Sequence, residues 1–192
     1  GQVRVFGRDV KDWPAAALRA KVGIVPQKAV LFRGTIRENL LWGRSDAGDD
    51  ALWSALACAQ AKDFVEQKEG ALSAPVEQGG KNLSGGQKQR LTIARALVRK
   101  PDILILDDSA SALDYATDAK LRRAIREMEG GPTVFLVSQR AASIRHADKI
   151  IVLDDGRVAG IGTHEALLQS CPVYQEIYHS QFPKEAACTK EA

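Results

Sequence analysis

LSGGQKQRLTIARALVRKPDILILDDSASALD, residues 83–114, holds a glycine-initiated helix and a buried strand within one short span. From Lys88 to Val98 the residues Leu91, Ala94, Leu97 and Val98 fall on one helical face, and Gly85 and Gly86 sit at the start. Ile103 to Leu106 is apolar without a break, the pattern of a strand covered on both faces, and it ends in Asp107 and Asp108. Carboxylates at the C-terminal end of such a strand lie at the crevice where α/β sheets bind their ligands. Glycines and a serine at a helix start leave backbone N–H groups free at the positive end of the helix dipole, a place for an anion such as phosphate.

Toward the C-terminus, Thr117 to Met128 reads as a helix stopped by Gly130, Gly131 and Pro132, and an apolar strand from Val134 to Val137 ends at Ser138 and Gln139. Lys149–Leu153 and Arg157–Ile161 flank Asp155–Gly156, a hairpin signal, before short helices near His164–Gln169 and Val173–Gln181. Toward the N-terminus, a loop with Pro75, Gly79 and Gly80 is preceded by alanine-rich amphipathic segments over Asp49–Cys58 and Lys62–Gln67. Thr35–Leu41 is expected to be a short helix in which Thr35 and Glu38 have the capping-box spacing. Lys21–Pro26 reads as a strand, and GQVRVFGRDV, residues 1–10, as a hairpin about Gly7. Strands alternating with helices indicate an α/β sheet.

A chain of 192 residues with 45% hydrophobic content can bury the core of one ordinary domain. Its 27 basic and 24 acidic residues are interspersed, which gives no reason to expect a nucleic-acid partner. No apolar run approaches a membrane-spanning length, and no signal-like segment opens the chain. Cys58, Cys171 and Cys188 stand far apart without CxxC spacing, so neither a zinc site nor a disulfide framework is expected, and a reducing compartment is the simplest setting. His164–Glu165 begins like HExxH, but Leu168 stands where the second histidine belongs. Trp13, Trp42 and Trp53 are expected to serve packing, and Arg90 and Arg95 to be solvated or salt-bridged.

LSGGQ, with QKQRLTIARAL after it, resembles the signature of ATP-binding cassette (ABC) proteins, and the resemblance extends along nearly the whole chain. Gln27 in VGIVPQ matches the Q-loop glutamine, LFRGTIRENL the stretch that follows it in exporters, and ILILDDSASALD the Walker B strand with its D-loop. SIRHADKIIVLDDGRVAGIGTHEALL, followed by VYQEIY, is similar to the closing hairpin and tail of exporter cassettes. The resemblance implies a P-loop NTPase (RecA-like) α/β core with an inserted helical subdomain. Residues 1–42 would be the remainder of the N-terminal core, 43–98 the helical subdomain, 99–165 the core with Walker B and the switch position, and 166–192 a C-terminal helical tail. It further implies ATP and Mg²⁺, with Asp107 and Gln27 toward the metal and Asp108, Gln139 and Gln27 as catalytic positions. Leu83, Ser84, Gly85, Gly86, Gln87, Ser111 and Asp114 would contact nucleotide across a head-to-tail pair of cassettes that powers export.

Several positions depart from the family pattern. The residue after the Walker B aspartate is normally glutamate and here is Asp108; the switch histidine is here Gln139, which can hydrogen-bond but cannot become cationic. Glu77–Gly80 replaces the acidic turn common in exporters. Nothing fits GxxxxGK followed by Ser or Thr, so the Walker A strand and loop are expected to lie upstream of what would be a fragment, one that binds MgATP weakly and leaves its core sheet incomplete. The resemblance is to the degenerate half of a heterodimeric bacterial exporter of multidrug or lipid type, at the cytoplasmic face of the cell membrane, with a transmembrane domain and a second cassette as partners. The competing expectation is a non-hydrolytic regulatory half that only donates its signature; a soluble cassette acting on ribosomes or DNA is disfavoured by LFRGTIRENL and the tail.

Overall fold

The computed structural model describes residues 1–109, 111–128 and 130–183; Ala110 of the D-loop stretch, and residues 184–192 of the expected tail with Cys188, lie outside them. The chain divides into two units, Gly1–Val137 and Ser138–Ala192.

The first unit opens on an antiparallel hairpin of β1 (Arg4–Val5) and β2 (Arg8–Asp9). Its turn residues Phe6 and Gly7 both have positive φ, 51° and 77°, the sense of turn that follows strand twist. Next comes α1 (Ala15–Lys21), a correction to the strand expected from Lys21: Ala15, Ala16 and Ala17 carry high helix propensity, and the strand β3 (Val22–Val25) begins one residue later. β4 (Gly34–Thr35) leads into α2 (Ile36–Leu41), where the capping box forms in full. The Glu38 N–H donates to Thr35 Oγ1 at 3.1 Å and the Thr35 N–H to the Glu38 carboxylate at 2.7 Å. Then follow α3 (Asp49–Cys58), α4 (Lys62–Glu66) and β5 (Pro75–Val76), which pairs antiparallel with β4. α5 (Gly85–Val98), β6 (Ile103–Asp107), α6 (Tyr115–Arg126) and β7 (Thr133–Val137) complete the unit.

β3, β6 and β7 form a parallel sheet in that order, with Ile24 beside Ile105 and Ile105 beside Phe135. One face of this sheet is the core: Val25, Leu104 and Leu106 are 0%, 0% and 3% exposed and belong to one apolar cluster with Leu91, Ile93 and Leu97 of α5. The register puts Ile24, Ile105, Phe135 and Val137 on the opposite face, where Ile24, Phe135 and Val137 are 60%, 55% and 55% exposed. Parallel sheets ordinarily have both faces covered. Among the described residues, this second face is largely open.

The second unit holds α7 (Ala141–Ile144), the hairpin β8 (Ile150–Asp154) with β9 (Arg157–Gly162), α8 (His164–Ser170) and α9 (Pro172–Gln181). Asp155 and Gly156 turn the hairpin with φ of 45° and 73°. Ile150, Val152, Leu167, Cys171 and Tyr174 form its core, and the Tyr174 hydroxyl lies 2.9 Å from His164 Nδ1.

Candidate nucleotide site

Because β3 and β6 are parallel neighbours, their C-terminal ends open on the same sheet edge. Asp107 ends β6 exposed. The chain then turns sharply: Asp108 has φ 41°, a left-handed conformation that a non-glycine residue keeps only where its surroundings enforce it. They do so through its N–H, which donates to the Val137 carbonyl at 2.9 Å, and its own carbonyl, which accepts from Ser111 N–H at 3.2 Å and Ser111 Oγ at 2.8 Å. Gln27, two residues beyond β3, donates from Nε2 to Asp108 Oδ2 at 3.3 Å. Gln27, Asp107 and Asp108 thus meet at one edge, although 81 residues separate Gln27 from Asp108. Carboxylates with an amide at the rim form a hard-oxygen donor set suited to a magnesium ion that keeps several waters.

At the signature, Ser84 is the N-cap of α5, and a second capping box holds it: the Gln87 N–H donates to Ser84 Oγ at 3.2 Å and the Ser84 N–H to Gln87 Oε1 at 3.0 Å. Leu83 is buried beneath the turn in the main core. Gly85 and Gly86 occupy the first two helical positions, whose N–H groups have no acceptor within the helix. Their surroundings differ. A Cβ on Gly86 would lie 3.3 Å from the Ala112 carbonyl, so this glycine lets the helix start pack on the segment after β6; a Cβ on Gly85 would meet nothing within 4 Å. The Ser84 and Gln87 side chains therefore shape the helix start, and the place a side chain on Gly85 would take is open.

Asp114 is the N-cap of α6: its carboxylate accepts from Thr117 N–H at 2.9 Å and Thr117 Oγ1 at 2.7 Å. These bonds, the backbone one first, hold its carboxyl below the usual range. Ser111 and Asp114 thus organise the loop after β6 from within the chain.

Arg90 and Arg95 correct the expectation of solvated or ion-paired guanidinia. Arg90 donates to the Gln60 carbonyl at 2.6 Å and lies over the Phe64 ring at 4.8 Å; Arg95 donates to the Asn39 carbonyl at 2.9 Å and the Val30 carbonyl at 3.0 Å. Both tie backbone carbonyls of earlier segments to α5, and burial lowers both guanidinium pKa values. In the Glu77–Gly80 turn, Asn82 accepts from the Glu77 N–H at 3.0 Å and donates to the Pro75 carbonyl at 2.8 Å. The tryptophans stand apart: Trp13 donates to the Val5 carbonyl, Trp42 stacks on Phe32, and Trp53 packs against the main core.

Gln139 belongs to the second unit, in the bend between β7 and α7. Its carbonyl accepts from Gln181 Nε2 at 2.8 Å, a contact no local sequence pattern announces.

The sequence profile of the ABC transporter family matches residues 1–111. An uncharacterized ABC transporter ATP-binding protein of Mycobacterium bovis is 45% identical over 184 residues, 94% of this chain and 31% of its own length. A β-(1→2)glucan export ATP-binding/permease protein of Rhodopseudomonas palustris is 42% identical over 182 residues, 95% of this chain and 30% of its own. Among solved structures, a bacterial Atm1-family ABC exporter with ATP bound superposes with a TM-score of 0.90 at 36% identity, covering 94% of this chain and 32% of that one. The chain spans about a third of the length of these relatives, and among its described residues no helix is long and apolar enough to cross a membrane. On its sequence and its fold alike, the chain belongs to the ABC transporter family, with the P-loop NTPase fold of the family's ATP-binding cassettes.

Proposed function

We propose that this chain is part of the ATP-binding cassette of an exporter, at the cytoplasmic face of a membrane, working with a transmembrane domain and a second cassette. The observation that carries the reading is the meeting of Gln27, Asp107 and Asp108 at one sheet edge, with Gln27 donating to Asp108 at 3.3 Å. Asp107 and Gln27 would hold Mg²⁺, which when bound neutralises charge on the β- and γ-phosphates. Asp108 would orient the water that attacks the γ-phosphorus as the bond to the β-phosphate oxygen breaks, and Gln139 would hydrogen-bond the γ-phosphate. Leu83–Gln87, with Ser111 and Asp114 behind them, would serve a nucleotide held by the second cassette.

Asp108 is one methylene short of glutamate, and its backbone is fixed by Val137 and Ser111, so it cannot advance to recover the reach. With Gln139 in place of histidine, the chain's own site is the weaker of a pair, in a heterodimer whose partner carries glutamate and histidine. The same observation favours the second reading, a half that donates its signature and turns over no nucleotide. The phosphate loop and its strand would come from upstream sequence; the strand could extend the sheet only at its edge, and the segment that follows the loop would cover the open face of Ile24, Phe135 and Val137. Without them the 192-residue chain is expected to bind MgATP weakly and not hydrolyse it; calorimetry on the chain alone checks this, and micromolar affinity would contradict it.

Gly85→Ala tests the donated signature. Open space around Gly85 and the helix preference of alanine predict an unchanged or slightly raised melting temperature. If a phosphate packs on these N–H groups, the added methyl lowers hydrolysis at the second cassette's site by about tenfold or more, toward the roughly 10²- to 10³-fold that loss of one preorganised donor costs. Unchanged hydrolysis in the assembled transporter would leave Gly85 a capping residue and sink the proposal.

A further inference from the structure

We infer that the C-terminal helix α9 sets the position of the switch residue through Gln181, a positioning residue acting on Gln139; the inference rests on the reading of Gln139 given above. Gln181 closes α9 and uses both ends of its amide on one short stretch of backbone. Its Oε1 accepts the Ala141 N–H at 2.9 Å, and its Nε2 donates to the Gln139 carbonyl at 2.8 Å. The residue between them is held from the other side, where the Arg140 N–H donates to Ser138 Oγ at 3.0 Å. Residues 138–141 are thus tied at successive backbone groups before α7 begins.

The clamp is worth only as much as its anchor, and the anchor is firm. Tyr174 and Tyr178 of α9 are 1% and 4% exposed, Tyr174 meets His164 of α8, and Phe182 lies 4.8 Å from the Tyr178 ring just past the helix end. A long side chain fixed at both amide atoms gives up rotamer freedom, which is sustained when its backbone is already held. Residue type matters as well. Glutamate would keep the acceptor for Ala141 but set a second acceptor, charged, against the Gln139 carbonyl; asparagine is a methylene too short to span both. Because both bonds go to backbone, the clamp acts on whichever side chain occupies position 139.

The test uses the full-length transporter, with any second cassette's carboxylate after Walker B neutralised so that only this chain's site reports. Gln181→Ala is expected to speed hydrogen exchange at the Ala141 amide by about tenfold while the amides of α9 keep their protection. Single-turnover hydrolysis of MgATP should slow by about tenfold, the scale of a small misplacement of a reacting group. The half-saturating ATP concentration should change less than about twofold, and Gln181→Glu should match the alanine variant in rate. In a Gln139→Ala background, Gln181→Ala should slow the reaction no further. Losses that multiply in the double variant, or an unchanged rate in Gln181→Ala where Gln139→Ala is slow, overturn the inference and leave the reading of Gln139 standing. A Gln139→Ala variant as fast as the parent overturns that reading, and with it the route from Gln181 to turnover.

Discussion

Asp108→Glu combined with Gln139→His is expected to raise single-turnover hydrolysis at this chain's own site by about 10²- to 10⁴-fold, the usual contribution of a well-placed general base. The expectation follows from how firmly Asp108 is held. Its N–H is bound to β7 and its carbonyl to Ser111, which hold its backbone at a φ of 41°. The strand before it, β6, is central in the sheet and cannot slide. With the backbone fixed and Asp108 in the role proposed for it, one methylene would decide whether the carboxylate reaches the attacking water, and an error near 1 Å can cost about a hundredfold. Histidine at 139, in the role proposed for that position, would add a group able to take a proton. Rapid-quench measurement in the assembled transporter, with Asp108→Asn as the inactive reference, checks the result. A double variant no faster than the parent would mean that neither residue limits the site, and the two departures from the family pattern would lose their mechanistic meaning.

The parts of this molecule that local periodicity controls are legible in the amino-acid sequence. Ile103–Leu106 announces a strand by unbroken apolar composition, Thr35 and Glu38 announce a capping box by spacing, and Asp155–Gly156 announces a hairpin turn; all three form, the strand with only one face in the core instead of the two its composition suggests. α1 gives no such signal because its alanine-rich surface is exposed and carries no apolar stripe, so propensity alone makes the helix. The site is legible as a set of residues but not as an arrangement. Gln27 meets Asp108 only because β3 pairs with β6, and Gln181 reaches Gln139 only because α9 folds back toward α7, at a separation of 42 residues. Arg90 and Arg95 mislead for a related reason: their partners are carbonyls of distant segments, which carry no charge for a sequence pattern to match.

Phe135→Lys is expected to act in opposite directions on the chain alone and on the complete cassette. In the chain alone Phe135 is exposed on an open sheet face with Ile24 and Val137, and among the described residues β7 is an edge strand of its sheet. Such a face and edge favour self-association, and an edge lysine is a standard way of blocking it. Burying a phenylalanine stabilises by about 1.5–3 kcal/mol, so a symmetric contact that loses it from both copies should weaken by about 3–6 kcal/mol, or roughly 10²- to 10⁴-fold. Sedimentation of the two chains side by side reads this as a shift toward monomer. In the complete cassette, on the reading proposed above, upstream sequence would cover the same face. There the substitution removes a packed ring, a loss of about 3–5 kcal/mol, and places an unpaired ammonium in its stead. Denaturant unfolding of the full cassette should show at least that loss. The reversal of sign separates a surface that is merely apolar from one built to be covered: a complete cassette indifferent to Phe135→Lys would show that upstream sequence leaves this face open, and the place proposed for the phosphate-loop segment would be wrong.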